Sequence, residues 1–118
     1  MGLNFRVNNV SQECSWSYGG FHGFRQNLWA EAGFSGDLYE LYDEDQWLDQ
    51  DPEEHPLFEL WNHSDCDGEL TPEQLTKIAP ALRELCPRLR DDYDRTNGLE
   101  LADSMEEAIK QGLPLEFT

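Results

Sequence analysis

The stretch "LNFRVNNVSQECSWSYGGFHGFRQNLWAEAGF", residues 3–34, decides the fold class because its apolar period changes partway along. Apolar and polar residues alternate in residues 3–7 and again in residues 14–18, and this period of two is typical of strands. The polar residues 8–13 between them indicate a turn. The opening of the chain therefore predicts a β-hairpin.

The second half of the same stretch has the period of an α-helix. Phe21, Phe24 and Leu28 recur at intervals of three and four residues, which places them on one helical face. Gly33 stands where such a helix is expected to end. The change of period predicts a strand pair followed directly by a helix.

Two more helices are indicated in the middle of the chain. Residues 56–61 predict a short helix with its proline in the first turn. Thr71 and Gln74 have the spacing of a capping box, which predicts a helix that starts at Thr71 and carries its apolar stripe to Leu89. Pro80 lies off that stripe, so we expect a kink or a restarted helix there.

The remaining segments complete the expected architecture. Residues 37–45 predict an acidic helix, residues 90–98 a loop, residues 99–112 a helix and residues 113–117 a strand added to the N-terminal hairpin. The fold class is α+β: an N-terminal β-hairpin plus a short C-terminal strand, packed against about four or five helices. Residues 1–118 are expected to form a single domain.

The charge of the chain is large and unevenly distributed. The formal net charge is −17, from 25 acidic and eight basic residues, against roughly 2 to 8 in magnitude for a small soluble domain. No Lys or Arg occurs between Gln26 and Thr76, although this stretch holds more than half of the acidic residues. We do not expect this protein to bind nucleic acid directly, because phosphate contacts require Lys and Arg.

Cysteine usage and hydropathy predict where the protein works. Cys14, Cys66 and Cys86 are odd in number and form no CxxC pair, which favours a reducing compartment over a disulfide framework. No apolar run approaches the roughly 20 residues that a membrane-spanning helix needs. We expect a cytoplasmic protein that does not bind a membrane.

The segment "HSDCDGELTPEQ", residues 63–74, resembles the calcium-binding loop of the EF-hand family. Asp65 and Asp67 stand at loop positions three and five, Gly68 at the sharp turn and Glu69 at the position that binds through its carbonyl. The resemblance covers about thirty residues with the flanking helices. It implies a single EF-hand-like loop that binds calcium or magnesium.

The two ends of this loop depart from the family pattern. His63 replaces the first aspartate, and Gln74 replaces the bidentate glutamate at position twelve, so two oxygen ligands are weakened or lost. His63 and Cys66 instead offer the nitrogen and sulfur that zinc accepts. The candidate ligands for calcium or zinc are His63, Asp65, Cys66, Asp67 and Glu69. Cys14, His22, His55 and Cys86 could complete a zinc site if the fold brought them there. The alternative is a capped, metal-free turn.

An enzymatic function is not expected. Carboxylates are too abundant for any one pair to stand out, and a Cys14–His22 dyad rests on proximity in sequence alone. Most tryptophans are expected in the core. Trp47 is the exception, because it lies among acidic residues and is a candidate interface anchor.

The segments "MGLNF", "WSYGGFHGFR" and "NHSDCDGELTPEQ" resemble an uncharacterised family of small bacterial and phage-encoded proteins. That resemblance implies a bacterial intracellular setting and no particular activity. It leaves the function to be argued from charge.

The leading hypothesis is a small acidic inhibitor that binds a basic protein, namely a nucleic-acid-binding defence enzyme. Helical carboxylates about 5–6 Å apart imitate, approximately, the phosphates of a duplex that carries one charge per about 1.7 Å. The candidate partner-binding residues are Asp37, Glu40, Asp43, Glu44, Asp45, Trp47 and Asp49. The competing hypothesis is a metal-dependent regulatory or structural module built on residues 63–74. An immunity-type protein that blocks a basic toxin would share the physics of the first.

Overall fold

The computed structural model describes residues 2–34, 54–63 and 68–118, and within these ranges the chain is α+β as predicted. Four antiparallel strands and four α-helices occur in these ranges. In chain order they are β1 (Gly2–Val7), β2 (Val10–Ser17), α1 (Tyr18–Glu31), α2 (Phe58–Trp61), β3 (Glu69–Leu70), α3 (Pro72–Leu85), α4 (Asp92–Gln111) and β4 (Leu115–Phe117). The predicted acidic helix over residues 37–45 lies outside the described residues.

The strands form one sheet in the order β2-β1-β4-β3, and every pairing is antiparallel. The hairpin turn is shorter than residues 8–13, because Asn8 and Asn9 both adopt positive φ and make a two-residue turn. Val10 to Glu13 therefore belong to β2. The C-terminal strand pairs with β1, so the prediction that it joins the hairpin is confirmed.

One face of the sheet carries the core. Burial alternates along β1, where Leu3, Phe5 and Val7 are buried and their neighbours are exposed. Aromatic rings continue this core into α1, since Trp16 of β2 stacks on Phe24 with ring centroids 4.6 Å apart. Such contacts bury large apolar areas and fix the angle between helix and sheet.

Helix α1 begins and ends with local signals. The Ser17 hydroxyl accepts a hydrogen bond from the Gly20 N–H at 2.9 Å, and Gly33 takes a φ of +97° just after the helix. The predicted stop at Gly33 is confirmed. Helix α2 begins at Phe58, two residues after Pro56, so the expectation of proline in its first turn is wrong.

Helices α3 and α4 pack against each other, and α4 also packs against the sheet. Helix α3 continues through Pro80, whose ring is exposed, so no new helix starts there; it ends at Leu85 and is followed by a 3₁₀ turn, Cys86–Arg88. The loop predicted over residues 90–98 is wrong. Those residues hold the first two turns of α4, which tertiary contacts fix against α1 and β2.

Candidate functional site

The second half of the EF-hand-like segment has a well-defined backbone. Gly68 adopts a φ of +90°, a conformation that side chains disfavour, and its carbonyl accepts a hydrogen bond from the Phe117 N–H at 2.8 Å. The next two residues form β3 and pair with β4, and Thr71 then caps α3. The end of the segment is thus hydrogen-bonded to the C-terminal strand.

The His63 ring packs against the same part of the segment, next to Gly68 and Phe117. Its Nε2 atom lies 3.0 Å from the Glu69 carbonyl oxygen, and its ring centroid lies 4.0 Å from that of Phe117. A Cβ atom added to Gly68 would come within 3.3 Å of the His63 Cε1 atom. His63 therefore makes a contact with the backbone of the loop's far end, and a metal bound through Nε2 would replace that contact.

A buried arginine lies beside the first residue of the segment. Arg25 of α1 is only 3% exposed, and its Nη1 donates to the Leu60 carbonyl at 3.3 Å and to the His63 carbonyl at 2.6 Å. Its guanidinium carbon lies 4.7 Å from the centre of the Phe21 ring. The guanidinium satisfies carbonyls at the end of α2, and its permanent charge opposes a second cation placed close by.

The residue at loop position twelve is committed to the helix cap. The Gln74 Oε1 atom accepts from the Thr71 N–H at 2.9 Å, and the Gln74 N–H donates to the Thr71 hydroxyl, so the predicted capping box is confirmed. The Gln74 Nε2 also donates to Glu59 at 3.3 Å, which ties α3 to α2. Metal binding by this amide would require it to leave both contacts.

Two of the five candidate metal ligands lie in the described part of the chain. His63 and Glu69 are described, whereas Asp65, Cys66 and Asp67 lie outside the described residues. No group of three or more His, Cys, Asp or Glu side chains within metal-binding reach occurs in residues 2–34, 54–63 and 68–118. The calcium and zinc hypotheses therefore stay predictions.

Of the further residues considered for zinc, Cys14 and Cys86 are buried, His55 is half-buried and His22 is exposed. Cys14 lies in the core with its sulfur 4.0 Å from the Ser104 hydroxyl, and burial raises its pKa to about 11. Burial likewise raises the pKa of Cys86 to about 12. His55 stacks on Trp61, and desolvation lowers its pKa. Both thiols are held as neutral groups of the core, which disfavours thiolate ligation.

The candidate partner-binding residues Asp37, Glu40, Asp43, Glu44, Asp45, Trp47 and Asp49 all lie outside the described residues. The described tryptophans, Trp16, Trp29 and Trp61, are buried, as expected. Part of the positive charge of the described surface is paired with carboxylates. Arg83 pairs with Asp103 and Glu106, and Arg95 pairs with Asp92.

A groove of about 570 Å³ lies between α1 and the first turns of α4, and we call it the α1–α4 groove. It is lined by Trp16, Ser17, Gly20, Gly23, Asn27, Asp91, Tyr93 and Asp94. Its size falls within the roughly 300–1,000 Å³ that small-ligand sites occupy. A Cβ atom at Gly23 would meet no atom within 4 Å, so the lack of a side chain there keeps the groove open.

The buried carboxylate of this groove belongs to Asp94, a residue 8% exposed. Its Oδ1 accepts from the Trp16 indole Nε1 at 3.0 Å, and its Oδ2 accepts from the Asn27 Nδ2 at 3.1 Å. Desolvation raises the pKa of Asp94, although both hydrogen bonds lower it. The two side-chain donors are neutral, and the partial positive charge of the α4 N-terminus, where Asp94 is the third helical residue, offsets part of the carboxylate charge.

Sequence reasoning missed Arg25 and Asp94. Arg25 stands between Phe24 and Gln26 on a helix, where the periodic pattern places it beside the apolar stripe, and this was the available signal. Asp94 gave no such signal, because "RDDYDRTNG" has the composition of a loop. Its contacts with Trp16 and Asn27, which lie 78 and 67 residues earlier in the chain, explain its burial.

Comparison of the chain with family models, curated proteins and solved structures found no match. Among the described helices, none combines the length and the apolar character needed to cross a membrane. The function has to be argued from charge and from the two sites described above.

Proposed function

We propose that this chain is a small acidic inhibitor that occupies the basic nucleic-acid groove of a defence nuclease, of the anti-CRISPR or anti-restriction type, in the bacterial cytoplasm. The observation that carries the proposal is the absence of Lys and Arg between Gln26 and Thr76 in a chain of net charge −17. A negative field of this kind steers a protein to a basic surface.

The surroundings of the Lys and Arg residues support this proposal. Arg83, Arg88 and Arg95 each have a carboxylate partner, and Arg25 is buried. The other four basic residues are exposed, and 25 acidic residues outweigh them, so the field of the chain stays negative. The partner is expected to present Lys and Arg where nucleic acid otherwise binds.

Charge reversal tests the proposal. The triple variant Asp37→Lys, Glu40→Lys, Glu44→Lys is compared with wild type in DNA-cleavage assays on purified restriction and RNA-guided nucleases. We expect inhibition of at least one nuclease by wild type, at least a tenfold loss in the variant, and steep weakening as salt increases.

The matched control is Glu13→Lys, Glu73→Lys, Glu107→Lys, which makes the same change in net charge at three exposed positions. It should inhibit much more strongly than the first triple variant. Equal inhibition by both variants would show that only total charge matters and would end the mimic proposal, as would the absence of inhibition by wild type across the nucleases.

The alternative is a metal-binding regulatory or structural module, for calcium or zinc, and the backbone at Gly68 favours it. The positive φ of +90°, the short strand β3 and the capped helix α3 follow one another as in the second half of an EF-hand-like loop. Thermal melting in chelator, calcium and zinc tests it. A ligand that binds only the folded state at 100 times its Kd adds about 2.7 kcal/mol.

The double variant Asp65→Ala, Asp67→Ala identifies the site in that experiment. A metal-induced rise in Tm that the double variant loses would establish the module, whereas no rise with either metal would remove it. The same variant should leave nuclease inhibition intact, so the two functions are separable.

A further inference from the structure

The α1–α4 groove joins three features that recognise the same chemistry. Asp94, a residue that is 8% exposed, contributes a carboxylate; Asp91 contributes a second carboxylate at the N-terminus of α4; and Tyr93, a residue that is 56% exposed, contributes an aromatic ring. Carboxylates attract a cation and an aromatic face stacks on one. The features lie around one opening and not along a featureless acidic surface.

The groups of the groove are held in place before any ligand arrives. The Tyr93 hydroxyl donates to the Ser15 carbonyl at 2.7 Å, and Trp16 and Asn27 hold the two oxygens of Asp94. Each of the two bonds to Asp94 uses one acceptor position of a carboxylate oxygen that can accept two hydrogen bonds. A planar donor can therefore be received without rearrangement of the carboxylate, which lowers the cost of binding.

We propose that the α1–α4 groove receives the guanidinium group of an arginine side chain presented by a partner protein. A guanidinium is planar, carries five N–H donors and stacks on aromatic rings, whereas a lysine ammonium is a compact and strongly hydrated charge. The cation balances the charge of the Asp94 carboxylate that remains, because its two neutral donors and the partial positive charge of the α4 N-terminus offset it only in part. A chain with net charge −17 attracts a partner protein that is itself basic, and such a partner presents arginine side chains.

This inference uses residues 16–27 and 91–94, which are separate from the proposed nucleic-acid mimic over residues 37–49. It does not depend on mimicry. Charge reversal at Asp37, Glu40 and Glu44 tests only the mimic, whereas the variants below test only the groove.

The experiment is an NMR titration of the full chain with arginine blocked at both ends, N-acetyl-arginine methylamide. Parallel titrations use the blocked forms of lysine and of citrulline, which has nearly the shape of arginine without its charge, and free arginine. We expect shifts centred on the amides of Gly20, Gly23 and Asn27 and on the Trp16 indole. Binding of blocked arginine should be at least tenfold tighter than that of blocked lysine and blocked citrulline, and free arginine, which has the same net charge, should bind no more tightly than the blocked form.

Two glycines of α1 supply the matched variants. Gly23→Leu places a side chain in the groove, and Gly19→Leu places the same side chain on the same helix outside it; a Cβ atom meets nothing within 4 Å at either position. Leu favours a helix more than Gly does, so neither variant should melt below wild type. Gly23→Leu should weaken binding at least tenfold, and Gly19→Leu should leave it unchanged. Asp94→Asn, which keeps the shape and removes the charge, should also weaken it at least tenfold.

Each other result contradicts the proposal. Equal binding of citrulline would remove the role of charge, and equal binding of lysine would remove the preference for the planar fork. Shifts that survive Gly23→Leu would show general attraction to the acidic surface. Tighter binding of free arginine than of the blocked form would show that the groove recognises the free amino acid and not a partner's side chain.

Discussion

The two long C-terminal helices start in contrasting ways. Helix α3 starts with an exposed capping box, in which Thr71 and Gln74 bond only to each other's groups and to Glu59. Helix α4 starts with Asp91 as its cap, while Asp94 at its third position turns inward to Trp16 and Asn27. The first start is specified within four residues of sequence, and the second depends on a strand and a helix far away in the chain.

The largest expected effect concerns the close approach that fixes the start of α4. A Cβ atom at Gly98 would lie 2.5 Å from the Cys86 sulfur and 3.0 Å from the Phe24 Cε1 atom. Overpacking of this kind costs about 1–3 kcal/mol, so we expect Gly98→Ala to lower the free energy of unfolding by about 3 kcal/mol, measured by urea denaturation.

Gly23→Ala is the matched control for this prediction, because it adds the same methyl group to a helical glycine with open space around it. It should raise stability by roughly 0.5–1 kcal/mol. If both alanine variants were equally stable, the contact of Gly98 with Cys86 would not constrain α4.

The inward hydrogen bond of Asp94 comes next in size. Asp94→Ala removes the acceptor of the Trp16 indole, which is 2% exposed, and an unsatisfied buried donor costs about 1–3 kcal/mol. We expect chemical denaturation to show a loss in this range. The double variant Trp16→Phe, Asp94→Ala should lose less than the sum of the single variants, since it leaves no unpaired donor. Strict additivity would contradict the coupling.

The two caps themselves should be equivalent. Thr71→Ala and Asp91→Ala each remove a side-chain oxygen that accepts from a backbone N–H, and each should cost about 1 kcal/mol. The double variant should cost about twice as much, because the two helix starts share no partner. A much larger loss for Asp91→Ala would mean that its carboxylate also supports Asp94.

The contrast explains which parts of the fold could be predicted. The hairpin, the stop at Gly33, the capping box of α3 and the C-terminal strand follow from periodicity and from turn or cap residues within a few positions of one another. The start of α4 could not be predicted, because "RDDYDRTNG" prefers a loop until Gly98 packs against Cys86 and Phe24. Of the candidate sites, the metal hypothesis came from local spacing, whereas Arg25 and the groove around Asp94 appear only when distant elements meet.

The smallest expected effect is a difference between the buried carboxylate of Asp94 and the exposed carboxylate of Glu106 in how their contributions to stability depend on pH. Desolvation raises the pKa of Asp94 in the fold, so between its ordinary and its folded pKa the folded state binds more protons than the unfolded chain. The contribution of Asp94 to stability therefore increases as pH falls through that window. Glu106 has the opposite sign, because its hydrogen bond from Arg83 lowers its pKa, and its contribution is lost on acidification.

Melting of wild type, Asp94→Asn and Glu106→Gln between pH 7 and pH 4 measures both signs. Each variant removes one carboxylate, so the general relief of repulsion in an acidic chain cancels in the comparison. The Tm of wild type relative to Asp94→Asn should rise as pH falls, and that relative to Glu106→Gln should fall. Parallel curves for the two variants would mean that Asp94 titrates as an exposed carboxylate does. The groove would then hold no desolvated charge for a guanidinium to balance.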